Sequence, residues 1–124
     1  MSYFSTQRPA SGSTHPYTLA LLRAATSYLD ADSYYEKWFR IGAAIYTVTS
    51  GRPDGFEVFN DWSASGRKYP GRSKVRKQWE YYSHNRGRPI TMGSLRRYVE
   101  EAGVSWATVC DDAADEDESS RDYE

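Results

Sequence analysis

Asp54, Glu57 and Asp61 are the only carboxylates grouped in the central part of the chain. Clustered carboxylates can hold divalent metal, because hard cations such as Mg²⁺ are bound through oxygen ligands. Spacings of three and four residues place these three on one face of a helix. No further carboxylate follows before Glu80, so a metal centre would lack partner ligands. We interpret the three as a solvated helix face and helix-start charges, and we expect no cofactor.

Nucleophilic catalysis and zinc binding also lack a recognisable arrangement of residues. The chain has one cysteine, Cys110, and two histidines, His15 and His84, which lie far apart in the sequence. Neither the ligand spacing of a zinc site nor the local signature of a nucleophile and its base is present. A Gly-x-x-x-x-Gly-Lys-Ser/Thr loop for nucleotide phosphates is also missing. We therefore predict that the protein is not an enzyme.

Charge is distributed in two opposed blocks. Residues 66–99 contain ten lysines and arginines against the single acid Glu80, although the whole chain has a net charge of only −1. Residues 111–124 contain eight acids against Arg121 alone. Such blocks indicate a charged partner, a contact between the blocks, or both.

The helix predicted from about residue 73 to residue 82 turns one face inward and exposes Lys74, Lys77 and Tyr81 on the other. Two cations beside an exposed ring suit a nucleic-acid strand, because ammonium groups bind phosphates while the ring stacks on a base. The alternative is an ordinary solvated face, although such faces normally mix both signs. We predict a nucleic-acid-binding surface formed by Arg67, Lys68, Lys74, Lys77, Tyr81, Arg86 and Arg88.

Arg96 and Arg97 require a separate interpretation. Each lies four residues before an acid, Glu100 and Glu101 respectively, and such pairs stabilise a helix by about 0.2–0.5 kcal/mol. We therefore rank both arginines below Lys74 and the other predicted phosphate contacts.

The apolar periodicity predicts an all-α protein, a compact bundle of about five helices. Ser13 or Thr14 is expected to cap the first helix, with Pro16 in its first turn. The second helix has the capping-box pattern Ser33-x-x-Glu36 at its start.

Further helices are predicted around residues 56–63, 73–82 and 92–102, the last capped by Thr91 and ended by Gly103. Gly42, inside the second helix, costs about 1 kcal/mol relative to alanine. A close helix crossing at Gly42-Ala43-Ala44 would explain that glycine.

The two ends of the chain differ from the centre. Residues 1–13 are rich in Ser, Thr, Gly and Pro and predict a flexible arm. Residues 14–110 are expected to form the helical domain. Residues 111–124 have almost nothing apolar to bury and predict a disordered acidic tail, which could compete with nucleic acid for the basic residues.

Five short motifs occur in order along the chain: Tyr35-x-x-Trp-x-x-Ile-Gly-x-Ala44, Phe56-x-x-Phe-x-x-Trp-Ser63, Lys68-Tyr69, Trp79, and Thr91-x-Gly-x-Leu95 with Ala102-Gly103. In this order they resemble the type-2 primase C-terminal domain over roughly residues 17 to 103. That family is a small helical module found in viral, plasmid and mobile-element replication proteins, between a primase region and a helicase region.

The resemblance implies a non-catalytic DNA-replication accessory module that binds single-stranded or template DNA, with a primase, helicase or polymerase as protein partner. The chain is expected to be either free-standing or part of a longer primase-helicase. The alternative is a small virus-encoded protein that binds a host or viral protein, its acidic tail imitating nucleic acid or docking on a basic partner. One cysteine, and no signal peptide or long apolar run, predict an intracellular protein of a bacterial cytoplasm or a virus-infected cell, not associated with a membrane.

Overall fold

In a computed structural model, the described residues are 13–84 and 89–121, with side chains described as far as residue 116. These residues form six α-helices and no strand: α1 (Pro16–Thr26), α2 (Tyr35–Thr49), α3 (Pro53–Ala64), α4 (Arg72–Tyr82), α5 (Met92–Glu101) and α6 (Trp106–Arg121). The all-α prediction is confirmed, with one helix more than expected. Arg86, Arg88 and residues 1–12 of the predicted arm lie outside the described residues. None of the described helices combines the length and apolar character of a transmembrane span.

Helix α3 contacts α1, α2 and α4, while α5 packs on α1 and α2, and α6 packs on α1 and α5. Phe56 and Phe59 of α3 are fully buried, and the centroid of the Trp79 ring lies 6.0 Å from that of Phe56 and 5.9 Å from that of Phe59. Trp79 and Tyr82 of α4 are both buried, together with Val75. The inward face predicted for the fourth helix is therefore confirmed. Its aromatic rings bury a large area, which helps to stabilise a small domain.

At Gly42, α2 lies directly against side chains of α3 and α4. A Cβ atom added at Gly42 would lie 2.5 Å from the Tyr82 hydroxyl oxygen and 2.6 Å from two ring carbons of Phe59. Any side chain at this position would displace the Tyr82 and Phe59 rings. The close crossing predicted from the sequence is confirmed.

The predicted caps of the first two helices are wrong. His15, not Ser13 or Thr14, is the N-cap of α1, and its Nδ1 atom accepts a hydrogen bond from the backbone N–H of Tyr17 at 3.1 Å. The capping box is also absent, because α2 begins after Tyr34 and the Ser33 hydroxyl donates to the Asp30 carbonyl. A local turn thus takes the hydroxyl group that the cap required.

Thr91 is the N-cap of α5 as predicted, although its side chain makes no capping hydrogen bond. The predicted stop also holds, since α5 ends at Glu101 and Gly103 follows with φ of 90°, a backbone conformation that glycine adopts without strain.

The acidic C-terminal region is the largest correction. The prediction of a disordered tail from Asp111 is wrong as far as Arg121, because α6 includes these residues. Val109 and Ala113, four residues apart on α6, are completely buried in its packing against α1. The Tyr28 hydroxyl donates a hydrogen bond to Asp112, and this bond to a carboxylate raises the pKa of Tyr28 above its usual value. Val109 and Ala113 are buried in this contact, and the surrounding acids obscure them in the sequence.

Candidate nucleic-acid interface

Lys74, Lys77 and Tyr81 lie on the exposed face of α4, opposite its buried side. The Tyr81 side chain is 54% exposed. Its ring packs edge-on against Phe39 of α2, with centroids 5.9 Å apart. The ring is therefore held in place, and much of its surface remains accessible, as the sequence predicted for this face of the helix.

Arg67 and Lys68 are positioned by Asp32, in the turn between α1 and α2. The Asp32 carboxylate accepts hydrogen bonds from the backbone N–H groups of Arg67 and Lys68, each at 2.9 Å. These two bonds hold the pKa of Asp32 below its usual value. Both side chains are exposed. A Cβ atom at Gly66 would lie 2.5 Å from the Asp32 Oδ1 atom, so this approach of the two loops requires glycine.

The structure brings four of the predicted cations and Tyr81 into adjoining segments, the loop before α4 and the exposed face of α4. We call Arg67, Lys68, Lys74, Lys77 and Tyr81 the basic surface. Arg86 and Arg88, the other two predicted site residues, lie outside the described residues.

Two further arginines of α4 are engaged in the fold. Arg72 donates to both oxygens of Glu57, at 3.1 and 2.6 Å, and this contact lowers the pKa of Glu57. Arg76 lies with its guanidinium carbon 3.9 Å from the centroid of the Phe56 ring. Both therefore tie α4 to α3, since cations are attracted to aromatic faces and carboxylates.

On α5, the predicted pair between Arg96 and Glu100 is confirmed at 3.0 Å. The companion pair between Arg97 and Glu101 does not form among the described residues. Arg97 is exposed, and α5 packs on α1, α2 and α6 rather than on the basic surface.

The three carboxylates of α3 bind to three different segments. Asp54 accepts from both the backbone N–H and the hydroxyl of Thr14, at 2.7 Å each. Asp61 pairs with Arg23 of α1 at 3.0 Å, and Glu57 pairs with Arg72. Asp54 lies in the first turn of α3 as predicted, and Glu57 and Asp61 remain partly exposed to solvent while they pair with arginines. Within the described segments, no group of three His, Cys, Asp or Glu side chains could hold a metal ion.

A pocket of about 420 Å³ opens beside the basic surface, between the start of α2, the end of α3, and α4 with its preceding loop. Lys68 and Lys74 belong to its wall, and so do Tyr35, Trp38, Tyr69 and Gln78. Tyr35 is 64% exposed, and its ring centroid lies 6.0 Å from that of Phe39. The pocket thus continues into a row of rings formed by Tyr35, Phe39 and Tyr81.

The Primase C terminal 2 (PriCT-2) family model matches residues 22–99. The chain belongs to the PriCT-2 family. The match confirms the resemblance seen in the aromatic motifs, and it supports a primase-associated module. No curated protein matches the chain, and no solved structure does. The matched segment runs from within α1 into α5 and includes the aromatic core and the basic surface; α6 begins after its end.

In this PriCT-2 domain, sequence reasoning missed three residues of the site. Asp32 positions the basic loop from 35 residues away, while Tyr35 and Gln78 belong to the pocket. The Asp30-Ala-Asp32-Ser33 stretch carries a turn signal, because Asp and Ser favour turns, but its partner loop has no local signature. Tyr35 was visible only as part of a family motif.

Proposed function

We propose that this PriCT-2 domain is a non-catalytic accessory module of DNA replication that binds single-stranded or template DNA through the basic surface. The observation that carries the proposal is the combination on α4 of two exposed lysines, Lys74 and Lys77, with the half-exposed Tyr81 ring. Arg72 and Arg76, which the fold uses internally, are distinct from these lysines. The remaining cations are thus available for phosphates.

Unpaired strands are favoured because the basic surface adjoins exposed rings. The ring centroids of Tyr35 and Phe39 are 6.0 Å apart, and those of Phe39 and Tyr81 are 5.9 Å apart. Bases of a single strand can stack on such rings, whereas the paired bases of a duplex already stack on each other. Stacking contributes about 1–3 kcal/mol per base, so it can select strands without reading their sequence.

A primase, helicase or polymerase acting on the same strand is the protein partner that we propose. The family supplies the association with primases, and a strand-binding module would keep such an enzyme close to its template through effective concentration.

The test is the affinity of the protein for a fluorescent oligothymidylate over a series of salt concentrations. Replacing Lys74 and Lys77 together with alanine should weaken binding and flatten the salt dependence, because each lost phosphate contact removes about 0.7 from the log–log slope for single strands. The matched control is Arg96→Ala with Arg97→Ala, which removes the same charge from α5. Equal losses in both double variants would mean that net charge alone attracts the strand, contrary to the proposal.

Tyr81→Ala separates stacking from charge. It should weaken binding to the single strand while the salt slope stays unchanged, because a stacked base releases no counterion. Unchanged affinity would exclude Tyr81 from the interface.

The second candidate is an interaction protein that presents acidic charge to a basic partner. It is favoured by α6, where Asp111, Asp115 and Glu116 are exposed on an ordered helix. Wild-type protein that does not bind the oligothymidylate even at low salt, where phosphate contacts are strongest, would favour this candidate over DNA binding.

A further inference from the structure

We propose that the pocket beside the basic surface holds one unpaired nucleotide, with the base between the aromatic walls and the phosphate at Lys68 and Lys74. This inference rests on the proposed function and adds a specific binding site to it. The volume of about 420 Å³ falls within the range of roughly 300–1,000 Å³ that small-molecule sites occupy.

The aromatic walls are fixed before any ligand binds. The Trp38 indole N–H donates to the Ser63 hydroxyl at 2.9 Å, and the Tyr69 hydroxyl donates to the Asn60 side-chain oxygen at 2.9 Å. The polar atoms of both rings are thus satisfied by the protein, so what the rings offer to the pocket is apolar surface. The flat π face of a nucleobase matches that surface.

Gln78 supplies a polar group whose hydrogen-bonding capacity the fold uses only in part. Its Nε2 atom is buried and, like Arg52 Nε, has no hydrogen-bond partner among the described residues. The amide oxygen accepts only a long bond of 3.4 Å from the Tyr35 hydroxyl. A buried donor without a partner is costly in a folded protein. An acceptor on a ligand would relieve that cost, and every nucleobase carries carbonyl or ring-nitrogen acceptors on its edge.

The neighbouring Tyr82 hydroxyl is not a hydrogen-bond partner of Gln78 Nε2. It donates to the Phe39 carbonyl at 2.7 Å, and burial raises its pKa well above the usual value, an effect that the nearby Gln78 amide only partly opposes. Among the described residues, Gln78 Nε2 still has no hydrogen-bond partner. Gln78 belongs to the pocket wall, so a ligand that draws its side chain toward the pocket would give the amide an acceptor.

Two lysines complete the match to a nucleotide. Lys68 and Lys74 both belong to the pocket wall and are exposed, so a phosphate joined to the bound base can meet either ammonium group. Lys68 Nζ also contacts the Asp32 carbonyl at 3.3 Å, which keeps it near the pocket. The acidic residues of the described segments are absent from the pocket wall.

The experiment follows the Trp38 indole and Gln78 side-chain amide signals in a ¹H–¹⁵N correlation spectrum of the full chain. We expect both signals to shift when the 5′-phosphorylated dinucleotide pdTpdT is added. Thymidine 5′-monophosphate is the second arm: stronger binding of the monophosphate would assign the pocket to free nucleotides, and stronger binding of pdTpdT to a strand. Absence of a shift with either ligand overturns the inference.

Gln78→Leu separates a binding role from a structural one. The variant should weaken pdTpdT binding about 5- to 10-fold, the effect of one lost hydrogen bond. Its melting temperature should remain equal or rise, because it removes an unsatisfied buried donor. A fall in melting temperature with unchanged affinity would show that Gln78 serves the fold and would overturn the inference.

The two proposals fail in different ways. If oligothymidylate binds with the expected salt dependence but the Trp38 and Gln78 signals stay unmoved, the basic surface stands and the pocket is excluded. If the oligonucleotide does not bind while thymidine 5′-monophosphate shifts both signals, the pocket stands and strand binding is excluded.

Discussion

Replacing Gly42 with alanine tests how the close crossing of α2 over α3 and α4 holds the domain together. On helix propensity alone the change should stabilise the protein by up to about 1 kcal/mol. The added Cβ, however, would lie 2.5 Å from the Tyr82 hydroxyl oxygen and 2.6 Å from ring carbons of Phe59. Carbon atoms pack best at roughly 3.5–4.0 Å, so these neighbours must move by about 1 Å.

The neighbours have little room to move, because Phe59 is completely buried and Tyr82 is 5% exposed. Overpacking of this kind costs roughly 1–3 kcal/mol. A displaced Tyr82 also loses its 2.7 Å bond to the Phe39 carbonyl, at about 1 kcal/mol. After the gain in helix propensity is subtracted, the expected net loss in the free energy of unfolding is about 1–3 kcal/mol.

Thermal unfolding followed by circular dichroism measures this loss. At roughly 4 °C per kcal/mol, Gly42→Ala should lower the melting temperature by about 4–12 °C. The matched control is Gly93→Ala in α5, where the added Cβ would meet only the Thr91 hydroxyl at 3.6 Å. This control should raise the melting temperature slightly, through propensity alone. Stabilisation by both alanines would refute the close crossing.

Three further outcomes follow from single contacts. Tyr82→Phe should cost about 1 kcal/mol in urea unfolding, because the Phe39 carbonyl loses its donor. The pKa of Asp32 is lower in the folded protein than its value near 3.8 in the unfolded chain. The stabilisation by ionised Asp32 is therefore present above that unfolded value and is lost as the pH falls through the folded pKa. Asp32→Asn should therefore lower the melting temperature at pH 7 and reduce its further fall between pH 5 and about pH 3; an identical acid profile would contradict this role. Ala113→Asp should destabilise the protein by several kcal/mol in the same urea assay, because it buries an unpaired carboxylate against α1, whereas a disordered tail would tolerate it.

The acidic residues of α6 were expected to form a flexible tail, and the structure changes that interpretation. Competition between a flexible tail and the basic surface required mobility, but residues 111–121 form a helix that packs on α1 and α5. The basic surface lies on α4 and its preceding loop, and α4 packs on α2 and α3. Truncation before Asp111 would remove the buried Ala113 and confuse stability with binding. Replacement of the exposed Asp115 and Glu116 with amides is therefore the better test of any charge effect.

Helical periodicity was enough to predict the two faces of α4, because residues three and four apart lie on one side of any helix. It placed Trp79 and Tyr82 inward and Lys74, Lys77 and Tyr81 outward, as the structure has them. The family was also recognisable in the sequence, since the order of the aromatic motifs does not depend on three-dimensional contacts. The close crossing at Gly42 could be predicted because glycine inside a helix is costly unless the space is needed.

Features that join distant residues were beyond local reasoning. Thr14 binds Asp54, 40 residues away, so its hydroxyl takes part in a long-range contact while His15 caps α1. In the same way, α6 depends on a surface of α1 that its own acidic residues do not reveal. Similar side chains also took different roles: Arg76 lies over Phe56, while Lys77 beside it is exposed. The pocket with its unsatisfied Gln78 amide exists only where α2, α3 and α4 meet, because burial and hydrogen bonding are properties of the packed chain and not of any one segment.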